Sequence, residues 1–347
     1  MPLQSLRNPG RFRWFLLWLA AFYATWLSIV VANHAWGSVA RHWAIAVAMV
    51  AGSYVAGSTP MGGGTIGFPI LVLFFDHPAA MGRDFGFAIQ SIGMTSASIF
   101  ILCARRPLEK PILKWAMLGS LIGTPPAVAF LAPRVDDVVV KVLFAVVWAS
   151  FGMMHFVKLR EICAASGMTR MSRSFDRTAG LLVGLVGGAL IASVTGVGID
   201  MLLYVVLVLL ARADLKIAIP TSVIIMAWTS LVGIASLLVL SRVAPTTWQL
   251  DPQLFGHWLA AAPIVAIGAP VGAFVVARVG RKPTLLVVST LCGLQFLWMA
   301  WHERERLGPA GLALSVAGIL VFNAAFHVMY RQGIRLERRL GHTGSPP

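Results

Sequence analysis

Long apolar runs separated by short basic connectors make up most of this 347-residue chain. A helix that crosses a bilayer needs roughly 20 apolar residues, because each residue adds about 1.5 Å and the hydrocarbon core is about 30 Å thick. Eight runs are long enough to be predicted as full spans: 12–32, 86–104, 113–132, 137–157, 217–241, 256–279, 284–301 and 309–329. The pattern therefore predicts an all-α polytopic membrane protein.

Two further apolar runs, 44–76 and 179–211, are interrupted by glycines. The first interruption lies within AGSTPMGGGTIGFPIL (56–71), and the second lies within ASVTGVGIDMLLY (192–204). Each break leaves two arms of about a dozen to sixteen residues, which reach only about 18 to 24 Å. We expect each run to be a hairpin that dips into the membrane and returns, although two complete tilted crossings would give the same topology. Irregular backbone in the membrane lines a cavity or is buried in protein, and paired breaks in two halves indicate a transport site.

The basic residues support the hairpin layout, because Lys and Arg concentrate in cytoplasmic connectors. With an inner N-terminus and two returning hairpins, 21 of the 28 basic residues fall inside and seven fall outside. This distribution predicts a multi-pass protein of a bacterial-type inner (plasma) membrane with both termini in the cytoplasm. It also predicts that the first hairpin opens outward and the second opens to the cytoplasm.

Opposite openings predict two inverted repeats, each consisting of a glycine-broken hairpin and three spans, with one extra helix at each terminus. Phe87 to Ser91 resembles Ile217 to Ser222 at the start of the span after each hairpin, and repeat 1 has a longer connector, Asp76 to Asp84. The predicted segments are an extra N-terminal helix (1–34), repeat 1 (35–157), a cytoplasmic connector (158–178), repeat 2 (179–305), and a C-terminal helix and tail (306–347).

Composition agrees with the membrane assignment and excludes other classes. The chain is 58% hydrophobic and 12% charged, whereas soluble domains are about 25% charged. A formal charge of +15 would suit nucleic acid, but the basic residues are scattered through short connectors, so no nucleic-acid partner is expected. The three cysteines have no close pair, and we predict no metal and no cofactor.

The first glycine motif resembles a signature of the TauE/SafE family of membrane exporters for sulfite and small organosulfonates. The family pattern is a small-residue lead and G-x-G-G-G, then four residues and a proline. Residues Pro60 to Gly64 and Pro69 follow it, except that Pro60 replaces the first glycine.

The second motif departs further from the family pattern. Gly196 and Gly198 are kept, Ile199 and Asp200 stand where glycines are expected, and Val205 replaces the proline. The resemblance covers about residues 42–302, and its strength is the pairing of the two motifs. It implies export of a sulfite or a short organosulfonate, and both the direction and the substrate come from the resemblance alone.

The helix arms that follow the glycines predict where an anion would bind. They begin near residues 65 and 199, so their N-termini point at the membrane middle from opposite leaflets. A helix N-terminus carries about half a positive charge and several free amides, which suits an anion. We place no Lys or Arg deep in a span, so the anion would be held weakly enough to be released. The predicted substrate-binding residues are Ser58, Thr59, Gly62, Gly63, Gly64, Thr65, Gln90, Ser91, Ser193, Thr195, Gly196, Gly198, Thr221 and Ser222.

Structural roles compete with substrate binding at these positions. Small residues let membrane helices pack closely, which is the alternative for the glycines. The hydroxyls near the breaks are equally suited to backbone groups freed there. Gln90, Ser91, Thr221 and Ser222 are also suited to hydrogen bonds between helices.

Asp200 is the one carboxylate that we place well inside an apolar run, where insertion costs about 2.5 to 3.5 kcal/mol. Three interpretations stay open. It is a proton carrier that couples transport to a proton gradient, an N-terminal cap for residues 201–211, or a charge that repels an anionic substrate unless protonated.

These features favour a secondary transporter of a small anion, which works in the lipid bilayer, over two alternatives. A passive anion channel would use the same helix ends. An intramembrane enzyme is suggested by the superficial likeness of Gly196 to Asp200 to the G-x-G-D of aspartyl proteases, but the spacing differs by one residue and no second acid lies within a predicted span. The oligomeric state and the identity of the anion are left open.

Overall fold

The computed structural model describes residues 9–276, 278 and 281–340. The helices are, in chain order, α1 (Pro9–Ala32), α2 (Trp36–Arg41), α3 (Trp43–Ser58), α4 (Gly64–Pro69), α5 (Ala79–Cys103), α6 (Lys110–Pro126), α7 (Asp137–Ala164), α8 (Arg173–Val186), α9 (Ser193–Thr195), α10 (Ile199–Val205), α11 (Leu215–Val243), α12 (Pro252–Val275), α13 (Arg281–His302) and α14 (Arg304–Leu340). Wider π-helical turns extend α4, α6, α8 and α10 through Ile70–Phe74, Ala127–Leu131, Gly187–Ala192 and Val206–Leu210.

The prediction of an all-α polytopic membrane protein is confirmed. Within the described residues, nine helices are long and apolar enough to cross a membrane, and no strand is present. Eight of them correspond to the predicted spans. The inverted-repeat relationship and the segment boundaries stay predictions. Arg7 and the tail beyond residue 340, which belong to the predicted terminal segments, lie outside the described residues.

Hairpin 1 (43–74) leaves and returns to the same end of the bundle. His42 precedes its first arm, His77 follows its second arm, and both rings pack against His257 at the start of α12, with ring centroids 4.4 and 5.3 Å away. We call this end outer and the opposite end inner, after the predicted orientation.

Hairpin 2 (173–210) closes at the inner end. Just outside its two arms, the Thr169 amide donates to the Ala211 carbonyl at 2.8 Å, and the Asp214 amide donates to the Gly167 carbonyl at 2.7 Å. Its first arm, however, runs over Arg173–Thr195, 23 residues, so the predicted arm of a dozen to sixteen residues is wrong here. The polar residues 173–178, which precede the predicted arm, are helical as well. Ser172 caps this helix start, with its Oγ accepting from the Phe175 amide.

Each hairpin packs its first arm along a full span from the other half of the chain. A Cβ on Gly57 of α3 would lie 1.8 Å from the Ala269 carbonyl oxygen of α12. A Cβ on Gly184 of α8 would lie 2.1 Å from the Ala116 carbonyl oxygen of α6. Small residues let these backbones touch. The reciprocal contacts hold both hairpin tips in the middle of the bundle.

Repeat 1 does not have the predicted long connector from Asp76 to Asp84. Helix α5 begins at Ala79. Arg83 and Asp84, which marked a loop in the sequence, form a buried ion pair at 2.7 Å within its first turns. A cation and a carboxylate are tolerated in a buried helix when they neutralise each other.

A second buried ion pair lies at the outer end. Lys141 of α7 is 4% exposed, and its ammonium lies 2.8 Å from Glu303 and 2.9 Å from Asp137. Glu303 is also buried. Arg83 and Lys141 are thus buried near the outer ends of their helices, because each is neutralised by a carboxylate, a pairing that a linear pattern does not reveal.

Glu109, at the inner end before α6, gives the protein a pH-dependent stability. Burial, and then the nearby Asp176 carboxylate, raise the pKa of Glu109 to about 7, although Arg170 opposes the shift. The unfolded chain releases this proton near pH 4.5, so between about pH 4.5 and 7 the folded state binds more protons. Stability should therefore fall as the pH rises through this window.

We expect Glu109→Gln to remove this part of the pH dependence, because Gln stays neutral. Melting temperatures of the detergent-solubilised protein at pH 5 and pH 8 measure the effect. Glu305→Gln, at an exposed carboxyl of the outer end, is the matched control and should keep the wild-type slope. A variant at residue 109 that melts with the wild-type pH profile would contradict the assignment.

Candidate anion site at the hairpin tips

The two glycine-rich tips meet inside the protein. A Cβ on Gly64 would lie 2.1 Å from Val197 Cγ1, and a Cβ on Gly62 would lie 3.1 Å from the Asp200 Oδ2 oxygen. Val197 and Asp200 are both 0% exposed. The contact joins segments more than 130 positions apart, as expected if the two breaks form one site.

Matched positions of the two motifs share an unusual backbone. Gly62 and Gly198 both have positive φ, +65° and +101°, a conformation that costs a side chain energy but costs glycine little. Gly62 lies just before the start of α4, and Gly198 is the N-cap of α10. Gly63 has φ −70°, so its requirement for glycine is weaker.

Gln90 of α5 bridges the tips. Its Nε2 donates to the Gly196 carbonyl and to the Gly86 carbonyl, both at 3.2 Å. Its Oε1 would lie 2.3 Å from a Cβ on Gly62, and it is buried without a hydrogen-bond partner among the described residues. The side chain is therefore anchored through its nitrogen and presents a carbonyl oxygen to the tip of hairpin 1.

Asp200 presents a second acceptor to the same place. It lies at the second position of α10 rather than at the N-cap, and its Oδ1 accepts from the Met201 amide at 3.1 Å. Its Oδ2 is buried with no partner in the described part of the chain. Asp84 and Glu303, by contrast, are paired with cations.

Most of the predicted hydroxyls donate to backbone carbonyls in this structure. Thr59 donates to Val55, Thr195 donates to Ile191 and Val197, and Ser193 donates to Ala189. Thr65 donates to Met61, four residues back. These bonds satisfy backbone carbonyls near the breaks, which is the structural role that competes with substrate binding for these hydroxyls. Ser58 differs, since its buried Oγ has no partner among the described residues.

The predicted residues on α5 and α11 are not all brought to the tips. Gln90 reaches them, while Ser91 bonds within its own helix, to the Ala88 carbonyl. Thr221 lies near the inner end, where its Oγ1 accepts from the Glu109 amide at 3.0 Å. Ser222, beside it, donates to the carbonyl of Ile219.

Trp148 and Gln295 support the site and were missed by the sequence analysis. The Trp148 indole is fully buried, donates to Thr65 Oγ1 at 2.8 Å, and would lie 3.0 Å from a Cβ on Gly198. Gln295 of α13 donates to the Thr65 carbonyl at 2.7 Å. Nothing in their local sequence indicates these contacts. Trp148 touches both tips, so it fixes their separation.

The two tips are not chemically equivalent. On hairpin 2, the Asp200 carboxyl group already accepts from a first-turn amide of α10, so this helix end has an acceptor of its own. On hairpin 1, the matching position is Gly64, which has no side chain. An anion would therefore be attracted to the Gly62–Gly64 backbone, while the hairpin 2 side offers acceptors and a protonatable group.

Comparison with known families agrees with this architecture. The profile described as "Sulfite exporter TauE/SafE" matches residues 44–299, which include both hairpins and the spans between them. Comparison with curated proteins and with solved structures gave no match. Since the matched region covers well over half of the sequence, the chain belongs to the sulfite exporter TauE/SafE family.

Proposed function

We propose that this protein is a secondary transporter that exports sulfite or a short organosulfonate across an inner membrane, with the anion bound between the two hairpin tips. The observation that carries the proposal is the contact of two broken, buried backbone segments, one from each half, at the centre of a membrane bundle. In hydrocarbon, such backbone persists where protein or a transport path surrounds it.

The backbone amides of Gly62 to Gly64 are the proposed anion donors. Gln90 lies beside them, since its Nε2 would lie 3.4 Å from a Cβ on Gly64, and its bonds to the Gly86 and Gly196 carbonyls hold it there. Ser58 Oγ, buried and unpartnered in the described structure, is a further candidate donor. No cation is assigned to the site, and binding by partial charges allows release.

Asp200 is the proposed proton carrier. Its Oδ2 is buried with no hydrogen-bond partner in the described structure and would lie 3.1 Å from a Cβ on Gly62, so a proton on this oxygen would remove the cost of an unpartnered buried carboxylate. An ionised Asp200 would repel the anion, whereas a protonated one would not. Substrate and proton would thus bind together and cross in the same direction, so export would be driven by the outward gradient of the anion.

A passive anion channel and an intramembrane enzyme would each need a different arrangement of groups at this site. A channel needs a continuous path, whereas the tips touch, with Gly64 against Val197. An aspartyl protease needs a second carboxylate beside the first. A Cβ on Gly62 would lie 3.1 Å from Asp200 Oδ2, and the family's own description is that of an exporter.

Flux into proteoliposomes tests the proposal. Proteoliposomes that contain the purified protein and are preloaded with unlabelled sulfite should take up labelled sulfite faster, by counterflow. An imposed proton gradient should drive accumulation of the labelled sulfite. Sulfoacetate, sulfate and short carboxylates, added as competitors, rank the substrates. Equilibration without counterflow would identify a channel, and chemical conversion without flux would identify an enzyme.

A further inference from the structure

The matched starts of α5 and α11 pack very differently against the hairpins. Helix α5 begins at Ala79 and helix α11 begins at Leu215, each after a connector of four residues, 75–78 and 211–214. On the outer side of hairpin 2, a Cβ on Gly86 would lie 3.3 Å from the Gly196 carbonyl oxygen. A Cβ on Gly196 would lie 2.2 Å from the Arg83 carbonyl oxygen. The tip of hairpin 2 is thus sealed against α5.

At the inner end, a cavity of about 120 Å³, which we call the inner vestibule, lies beside the first turns of α11. It is bounded by hairpin 1, the C-terminal ends of α5 and α12, the α5–α6 connector and the first turns of α11. Its walls include Gly57, Phe100, Arg106, Lys216, Ile219 and Ala273. Gly57 is adjacent to Ser58, so the vestibule reaches the level of the hairpin 1 tip.

The vestibule carries a positive charge on apolar walls. Lys216 has a side chain that is 66% exposed, and its ammonium lies 4.0 Å from the Asp214 carboxylate. Arg106 is the second cation in the lining and takes part in other interactions. Clefts with charges of one sign and low-dielectric walls concentrate ions of the opposite sign.

We infer that the inner vestibule is the site where a small oxyanion first binds from the cytoplasm, held by Lys216 and Arg106 before it reaches the tips. The inference rests on the proposed function and adds a first binding site to it.

Everted membrane vesicles, which expose the cytoplasmic face, test the inference with labelled sulfite. Lys216→Gln should raise the KM for uptake about fivefold and leave the maximal rate unchanged, because it removes an attractive charge and not a transport step. Adding Arg106→Gln should raise the KM further. Lys216→Arg should restore the wild-type KM, since it keeps the charge.

Two controls separate electrostatic attraction from structural damage. Lys110→Gln, at an exposed inner cation outside the vestibule lining, should keep the wild-type KM. High chloride should raise the wild-type KM toward that of Lys216→Gln, because salt screens exposed charges. A KM that is unchanged in Lys216→Gln, or one raised equally in Lys216→Arg, would overturn the inference.

Failure of the inference is distinguishable from failure of the proposed function. If wild-type vesicles take up no sulfite above vesicles without the protein, the transport proposal fails. Thermal stabilisation of the purified protein by sulfite then tests the vestibule alone, since a ligand of the folded state raises the melting temperature. Stabilisation that is weaker in Lys216→Gln than in Lys110→Gln supports the vestibule, and stabilisation equal in both rejects it.

Discussion

Gly62→Ala is expected to abolish anion flux while the protein still inserts and folds. The new methyl group would lie 2.3 Å from Gln90 Oε1, at a residue with φ +65°. Gln90 cannot withdraw freely, because its Nε2 is bonded to the carbonyls of Gly86 and Gly196. A displacement of about 1 Å in a binding geometry costs on the order of a hundredfold in rate. Counterflow of labelled sulfite in proteoliposomes measures the loss.

Gly63→Ala is the matched control for this experiment. It makes the same chemical change one residue away, where φ is −70° and the nearest atom to the new Cβ is the flexible Met49 Cε at 3.3 Å. We expect it to keep most of the wild-type flux. If both variants transport equally well, the anion does not pass between Gly62 and Gln90, and the site must be placed elsewhere.

Asp200→Asn is expected to uncouple transport from the proton gradient without removing exchange. One unit of pH difference is worth about 1.4 kcal/mol, so a single coupled proton supports about tenfold accumulation. The Asn side chain has nearly the same shape but carries no titratable proton. Wild-type proteoliposomes under an imposed pH gradient should accumulate labelled sulfite, and the variant should only reach equilibrium, with counterflow retained.

The same variant distinguishes the proton carrier from a capping role. Asn stabilises a helix N-terminus about as well as Asp does, so a purely structural Asp200 would leave accumulation intact in Asp200→Asn. Asp84→Asn is a useful comparison, since Asp84 is buried but paired with Arg83. Loss of accumulation in both variants alike would indicate a general effect of removing buried charge.

Local sequence properties predicted much of the architecture. Apolar length identified the spans, and the glycine clusters at 62–64 and 196–198 marked the breaks, because a broken membrane helix needs residues that tolerate unusual backbone. The errors lie where charge indicated a loop. Arg83 lies in a predicted connector and Lys141 lies at the edge of a predicted span, yet each is buried beside a carboxylate. Pairing depends on a partner, which for Lys141 is 162 residues away.

The candidate site was predicted in part. Gly62, Gly198, Gln90 and Asp200 were selected from the sequence, and the structure brings them together. Thr221 and Ser222 were selected by the same repeated pattern and lie at the inner end instead. Both residues lie on α11, which follows hairpin 2. Hairpin 1 does not pack tightly against α11, whereas hairpin 2 packs tightly against α5.

By itself, the sequence determined that this protein is a helical membrane transporter of the TauE/SafE type with two broken hairpins, since hydropathy and glycine content act over one or two turns. Only the tertiary structure decided which groups share the centre. Gln90 and Gly196 are separated by 106 residues, and Trp148 joins Thr65 to Gly198. Such contacts depend on how whole helices pack, because each side chain's partner comes from a distant segment that no local pattern specifies.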